Sequence, residues 1–202
     1  EVIKQYVAMG LGVSIVTFSL IRLVQGFDYT DPDVGPIRFD PDRIYFFGHS
    51  QGGSLSRYVA KDKGLLAQTD DVVGLAPSSH GTTSPFAGPA ALLGCAACRD
   101  QRAGSPFMKA LDAPPEAPGP VSYTVVSTRY DEVVTPYQSQ ALSGSTVTNV
   151  VLQSRCPGDL TEHVGIIYDP VALQWARDAL LRPGPANPAF VPDCSGRTTG
   201  ND

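Results

Sequence analysis

The sequence contains few charged residues and only four cysteines and three histidines. Only 17% of its 202 residues are charged, the formal net charge is −5, and no cluster of lysines and arginines is present. Because nucleic-acid binding requires many phosphate-neutralising cations, a nucleic-acid partner is not expected. Internal repeats and low-complexity segments are also absent. A hydrophobic content of 42% is nevertheless enough to build a core, which excludes global disorder.

A membrane-spanning run is also missing. The apolar stretch over residues 7–21 is interrupted by glycine, serine and threonine and ends at Arg22. It is shorter than the roughly 20 apolar residues that cross a bilayer, and no small-residue cleavage site of a signal peptide follows it. We interpret it as buried core elements and expect no integral membrane segment.

Cysteine is scarce, with only Cys95, Cys98, Cys156 and Cys194, which allow three pairings. A zinc site needs a second closely spaced ligand pair, so no metal is predicted. A thioredoxin-like motif opens a helix directly after a strand, and no predicted strand leads directly into Cys95. The favoured interpretation is two structural disulfides, Cys95–Cys98 and Cys156–Cys194, and the alternative is four reduced, buried thiols. Disulfides imply an oxidising compartment, so we expect a secreted protein.

What the sequence does contain is an alternation of strand-like and helix-like segments. Predicted strands cover residues 11–17, 44–47, 72–76, 121–127 and 147–153, and predicted helices cover residues 1–9, 18–24, 53–59 and 170–181. The alternation predicts an α/β fold with a mostly parallel sheet and flanking helices.

Three finer predictions concern organisation. Residues 11–17 are expected to pair in parallel beside residues 44–47, with residues 18–24 as the crossover helix. The Pro-, Gly- and Asp-rich residues 26–42 are interpreted as a loop. A single domain is predicted over residues 1–182, followed by a Pro-rich tail over residues 183–202.

The most informative motif is Gly48-His49-Ser50-Gln51-Gly52, which lies between an apolar strand pattern and a helical pattern. Strand, G-x-S-x-G turn and helix together form the nucleophile elbow of α/β-hydrolases. Glycines allow strand and helix to approach closely, and the helix N-terminus directs N–H groups at the reacting oxygen. Ser50 is therefore the candidate nucleophile, and the Gln51 N–H is the candidate oxyanion donor.

A serine nucleophile needs a base, and the sequence has only three histidines. His49 adjoins Ser50, His80 lies in the loop after the next predicted strand, and His163 lies far downstream. In α/β-hydrolases the order along the chain is serine, acid, histidine. His163 is therefore the predicted base, with His80 as its rival. We also predict that His49 and His80 contact the substrate.

The acid is expected just beyond the predicted strand at residues 121–127, where ligand-facing groups of a parallel sheet lie. Asp131 occupies that place and is the predicted orienting carboxylate. Glu132 and Asp159 are its competitors.

Several segments together carry a family resemblance: Pro77-Ser78-Ser79-His80-Gly81-Thr82-Thr83, the Cys95–Cys98 pair, residues 129–137 and residues 156–163. They resemble extracellular lipases and esterases of actinomycetes over about residues 48–171. The resemblance implies an α/β-hydrolase fold, hydrolysis of carboxylic esters including acylglycerols, and catalytic roles for Ser50, Asp131 and His163.

The N-terminal part departs from this pattern. Such lipases place a His-Gly before the elbow, and residues 1–49 contain none, so the first strands are expected to be reduced or missing. Residues 1–16 weakly resemble an effector-domain segment of LysR-type regulators.

Two functions of different class follow from these features. The first is a monomeric serine ester hydrolase that acts on small-molecule or lipid esters through an acyl-enzyme, without metal or organic cofactor. The second is a hydrolase-like binding module, or a truncated or composite chain, without efficient catalysis.

Overall fold

The computed structural model describes the backbone of residues 18–21, 28–31, 35–38, 43–85 and 95–195, and the side chains of residues 43–85 and 95–195. The strands in this part of the chain are β1 (Phe18–Ile21), β2 (Asp28–Asp31), β3 (Gly35–Arg38), β4 (Ile44–His49), β5 (Thr69–Leu75), β6 (Ser122–Ser127) and β7 (Val147–Val151). Five of them form one sheet in the order β1-β4-β5-β6-β7, and β2 pairs with β3.

Strands β4 to β7 run parallel, with register pairs such as Phe46 with Val72 and Val72 with Tyr123. Parallel strands require crossover connections, and helix α1 (Gln51–Asp62) connects β4 to β5. The remaining helices are α2 (Ala96–Asp100), α3 (Pro106–Leu111) and α4 (Pro170–Leu180). The predicted α/β fold with a mostly parallel sheet is confirmed.

The N-terminal prediction is wrong where the structure can be compared with it. Residues 18–21 form a strand and not a helix, and β1 runs antiparallel to β4, with Phe18 opposite Gly48. The sequence Phe18-Ser19-Leu20-Ile21 is a short, mainly apolar segment, which periodicity alone does not assign to helix or strand. The predicted strand at residues 11–17 lies outside the described residues.

The loop predicted over residues 26–42 also contains structure. Strands β2 and β3 form an antiparallel pair in which Tyr29 lies opposite Ile37. Half of the eight residues in these two strands are aspartate, glycine or proline, which have low strand propensity, so the sequence pattern did not predict the pair.

The core occupies both faces of the sheet because successive side chains of a strand point in opposite directions. On one face, Val73 and Leu75 of β5 pack with Trp175 of α4. On the other, Phe46 of β4 and Val72 of β5 pack with Ala60 of α1. All six residues of β6 are buried, as expected for a central parallel strand covered on both sides.

Helix α4 begins at a strong sequence signal. Asp169 accepts a hydrogen bond from the Ala172 N–H at 2.7 Å, and Pro170 occupies the first turn. Its buried face carries Val171, Ala172, Trp175, Ala176 and Ala179. The helix closes over the sheet face behind the loop that contains His163.

The segment after α4 packs against the domain as far as residue 195. The Ala186 N–H donates to Thr124 Oγ1 at 2.9 Å, and the Phe190 ring contacts the Trp175 ring edge-on. The domain boundary at residue 182 stays a prediction. The segments assigned to helix (1–9) and to the regulator resemblance (1–16) lie outside the described residues.

Candidate active site

The turn between β4 and α1 holds Ser50 in an unusual conformation. Its φ is 54° and its ψ is −125°, in a region that L-residues rarely occupy. Such strain is retained where the surrounding structure dictates it, and it occurs most often at functional sites. Here the Ser50 N–H donates to the Leu75 carbonyl at 2.9 Å, which attaches the turn to the end of β5.

Glycine is required at two positions around this turn. A Cβ added to Gly48 would lie 2.5 Å from the Gly52 carbonyl carbon, and one added to Gly53 would lie 2.7 Å from Pro77 Cβ. Both approaches are closer than any real Cβ contact. The two glycines therefore let α1 leave the sheet at the sharp angle that presents Ser50 at the strand ends.

The residue after the serine opens helix α1. Because the helix dipole is positive at this end, the N-terminus of α1 favours negative charge beside Ser50. Gln51 lies at this first position. Its N–H is therefore in the position that the elbow motif assigns to an oxyanion donor.

The imidazole of His163 contacts the Ser50 hydroxyl. Ser50 Oγ lies 2.9 Å from His163 Nε2, and the two residues are 113 positions apart in sequence. His163 is buried, in the loop after β7, where the sequence predicted a base. The structure thus brings the predicted nucleophile and the predicted base into hydrogen-bond contact.

Asp131 lies on the other side of the same imidazole. His163 Nδ1 is 2.8 Å from Asp131 Oδ2. A carboxylate oxygen only accepts, so Nδ1 carries the hydrogen and Nε2 is left to accept the Ser50 O–H. Ser50, His163 and Asp131 therefore form one hydrogen-bonded chain.

The Asp131 carboxylate is held by further donors. Its Oδ1 accepts the N–H groups of Val133 at 2.9 Å and Val134 at 2.7 Å, and its Oδ2 also accepts Gln140 Nε2 at 2.7 Å. Gln140 is fully buried, in the 3₁₀ helix Tyr137–Gln140. These contacts fix the orientation of the carboxylate toward His163.

The two competing carboxylates bind backbone groups. Glu132 Oε2 lies 3.4 Å from the backbone N of His163, and Asp159 Oδ1 accepts the Thr161 N–H at 2.8 Å. Of the three candidate acids, Asp131 is the one that is hydrogen-bonded to the imidazole of His163.

His80, the rival base, has other partners. Its Nδ1 lies 2.8 Å from the Ser139 carbonyl, and its Nε2 lies 3.2 Å from Glu116 Oε1. The imidazole that contacts Ser50 belongs to His163. The prediction that His80 contacts substrate stays a prediction.

His49 packs against His163, the candidate base. Its side chain is 2% exposed, its Nε2 lies 2.7 Å from the His163 carbonyl oxygen, and the two ring centroids are 4.8 Å apart. Burial is the main cause that lowers the pKa of His49, and the hydrogen bond to the His163 carbonyl partly opposes it. That His49 also contacts substrate stays a prediction.

Sequence reasoning missed the polar contacts that hold the loops carrying Asp131 and His163. Thr128 Oγ1 donates to the Thr161 carbonyl at 2.5 Å and accepts Gln153 Nε2 at 3.0 Å. Gln140 was missed as well. None of these residues has a distinctive spacing from the serine, the acid or the base, so no motif signalled them.

Both predicted cysteine pairs lie at disulfide distance. The Cys95 and Cys98 sulfurs are 2.08 Å apart, and those of Cys156 and Cys194 are 1.93 Å apart. The second pair connects the segment after α4 to the start of the loop that contains His163.

Within residues 43–85 and 95–195, no group of three or more His, Cys, Asp and Glu side chains is placed to hold a metal ion. In the same part of the chain, no helix has both the length and the apolar character needed to cross a bilayer.

Comparisons with known proteins extend these observations. No family model matches the chain, and no curated protein matches it. Among solved structures, it is similar to Aspergillus fumigatus lipase B, with 25% sequence identity, a TM-score of 0.65 and coverage of 77% of this chain. The match covers 41% of the fungal protein, so this chain spans about two fifths of that lipase's length. The chain has an α/β fold similar to that of a lipase.

Proposed function

We propose that this protein is a serine hydrolase of carboxylic esters, a lipase or carboxylesterase. The observation that carries the proposal is the chain of contacts from Ser50 Oγ through His163 to Asp131, at 2.9 and 2.8 Å. A serine, a histidine and a carboxylate in this order, on an elbow at the ends of parallel strands, is the arrangement that activates a serine for acyl transfer. The similarity to a fungal lipase supports the ester as the substrate class.

The proposed mechanism has two halves. Ser50 Oγ attacks the ester carbonyl carbon while His163 Nε2 takes the hydroxyl proton, and His163 then gives that proton to the leaving alcohol. A water molecule, deprotonated by His163, attacks the acyl-enzyme, and the acid and Ser50 are released. Asp131 orients the imidazole and stabilises its positive charge in both halves.

The negative charge on the carbonyl oxygen develops beside the N-terminus of α1. The Gln51 N–H is the proposed first oxyanion donor, and one such donor is typically worth about 10²–10³ in kcat. Strand β1 runs antiparallel to β4, and its first residue, Phe18, lies opposite Gly48, two positions before Ser50.

The proposed cellular setting follows from the disulfides. Two cysteine pairs at bonding distance are typical of proteins from oxidising compartments, so we propose that the protein is secreted. We also propose that it acts as a monomer on small-molecule or lipid esters. The finer kinship with actinomycete enzymes is part of the same proposal and rests on the sequence motifs alone.

The test is hydrolysis of short-chain aryl esters by purified wild-type protein and by Ser50→Ala. We expect measurable turnover from the wild type and loss of at least about 10³-fold in kcat/KM from the variant, with unchanged circular dichroism. Wild-type turnover that persists in Ser50→Ala would refute the proposal. No turnover by either protein would favour the hydrolase-like binding module.

A further inference from the structure

We infer that His49 is a positioning residue for His163, holding the base loop against the strand that carries the nucleophile. This inference rests on the proposed function, because His49 acts on catalysis only if His163 is the base. It adds a role for a residue that directly precedes Ser50 and lies beneath the imidazole.

The contact between the two histidines has one possible direction. The His163 carbonyl oxygen only accepts, so His49 Nε2 must carry the hydrogen and donate it across 2.7 Å. The neutral ring then carries a lone pair on Nδ1, which is buried and has no hydrogen-bond partner among the described residues. His49 is thus present as one tautomer with one bond, and that bond goes to the backbone of the base.

This single bond joins two elements distant in sequence. His49 is the last residue of β4 and is followed by Ser50, whereas His163 belongs to the loop after β7. Fixing the His163 carbonyl to β4 sets the position of the imidazole relative to Ser50 Oγ. A displacement of about 1 Å between reacting groups can cost about 10²-fold in rate.

The neutral state of His49 matters because His163 becomes positively charged during the reaction. The two rings lie 4.8 Å apart with planes tilted by 46°. A second positive charge at that distance would oppose protonation of the base. The titratable groups that act on His49 are His163, Asp131 and Glu162, and burial outweighs them in lowering its pKa.

Three substitutions of His49 distinguish the loss of its hydrogen bond to the His163 carbonyl from a change in side-chain volume. In His49→Gln the amide Nε2 is as many bonds from Cβ as the imidazole Nε2, so it retains a non-titrating donor at similar reach. In His49→Asn the amide is one bond too short, and in His49→Leu there is no donor. Thr69→Val is the matched control, since Thr69 Oγ1 donates a partly buried hydrogen bond to the Leu65 carbonyl at 2.8 Å at the far end of the sheet.

We expect His49→Gln to retain kcat within about 5-fold, and His49→Asn and His49→Leu to lose about 10–100-fold in kcat with KM changed by less than about 3-fold. If His49→Leu does not fold, the comparison of Asn with Gln carries the test. Full activity of His49→Asn or His49→Leu would overturn the inference. Equal losses in all three variants, or an effect on KM alone, would do the same.

A second readout does not depend on ester hydrolysis. The proton on His163 Nδ1 that bonds Asp131 should give a downfield NMR resonance in wild type, in His49→Gln and in Thr69→Val. We expect this resonance to broaden or disappear in His49→Asn. An unchanged resonance in His49→Asn would contradict the inference even if the wild-type protein hydrolyses no ester.

Discussion

Asp131 and Asp71 are both buried, and their carboxylates lie at opposite ends of the same sheet. Asp131, beyond the C-terminal end of β6, accepts hydrogen bonds from two backbone N–H groups, Gln140 and His163. Asp71, near the start of β5, has a buried Oδ1 with no hydrogen-bond partner among the described residues. The carboxylate at one end of the sheet has several hydrogen-bond donors around it, whereas the carboxylate at the other end is buried with one oxygen unpaired among the described residues.

The difference appears in the protonation of Asp71. Burial, reinforced by the neighbouring charge of Asp70, raises the pKa of Asp71 to about 8, although Arg43 opposes this shift. Asp71 is therefore mainly neutral in the folded protein at pH 7. The comparison shows that burial alone does not prepare a carboxylate for orienting a base, since the surrounding donors must also be supplied.

The largest expected effect comes from replacing Asp131. Asp131→Asn retains the shape of the side chain but presents no charge to stabilise the protonated His163, and its amide permits the wrong imidazole tautomer. We expect kcat for an aryl ester to fall by about 10³–10⁴-fold. Asp71→Asn is the matched control and should retain wild-type kcat. Comparable losses from both variants would remove the distinction between the two ends.

The second prediction concerns the disulfide nearer the candidate site, between Cys156 and Cys194. Cys156 and Cys194 are 38 positions apart, so Cys156→Ser with Cys194→Ser frees a long loop and should cost about 3–4 kcal/mol in the free energy of unfolding. The Cys95–Cys98 pair spans only three positions, and its double serine variant should cost markedly less. Denaturant titration of the three proteins measures both differences. Equal stability of all three would show that the tail does not stabilise the fold.

The third prediction concerns the pH dependence of stability that Asp71, at the opposite end of the sheet, should cause. A folded-state pKa raised to about 8 means that the contribution of Asp71 to stability is fully present below its unfolded pKa near 4 and is lost as pH rises to about 8. We expect the stability of Asp71→Asn relative to wild type to increase by roughly 4–5 kcal/mol between pH 4 and pH 8. Thermal unfolding across this range provides the measurement. Parallel curves for the two proteins would show that Asp71 does not titrate there.

The smallest effect is expected at Gln140, whose amide donates to Asp131 Oδ2 at 2.7 Å. Gln140→Leu removes one donor to a charged acceptor, a bond worth about 1.5–3 kcal/mol, and part of that loss should appear as a reduction of about 10-fold in kcat. Gln138→Leu, on the exposed side of the same 3₁₀ helix, is the control and should retain wild-type kcat. A loss of stability with no change in kcat would limit Gln140 to a structural role.

The parallel part of the fold was predictable because each strand is rich in β-branched or aromatic residues. The runs at residues 72–76 and 121–127 correspond to β5 and β6, and the apolar periodicity after Pro170 corresponds to α4. Strand β1 was not predictable, since three apolar residues and a serine fit a helix turn or a strand equally well. Its direction depends on pairing with β4, which local pattern does not encode.

Within the candidate site, the sequence predicted the groups that are rare or occur in a motif. Ser50 lies in an elbow motif, and three histidines leave few choices for a base near it. The role of Gln140 could not be predicted, because nothing in the sequence distinguishes this glutamine from the others. The hydrogen bond that His49 donates could not be predicted either, because the orientation of a buried ring depends on tertiary contacts. Orienting contacts of this kind become visible only when distances are known.

The most direct test of the central claim is covalent labelling with a fluorophosphonate, followed by mass spectrometry of the digested protein. We expect one adduct, on Ser50, that disappears in Ser50→Ala and forms at least about 10²-fold more slowly in His163→Ala, which lacks the base. Labelling at another residue, or labelling of Ser50 at the wild-type rate without His163, would contradict the claim that these two side chains act as nucleophile and base.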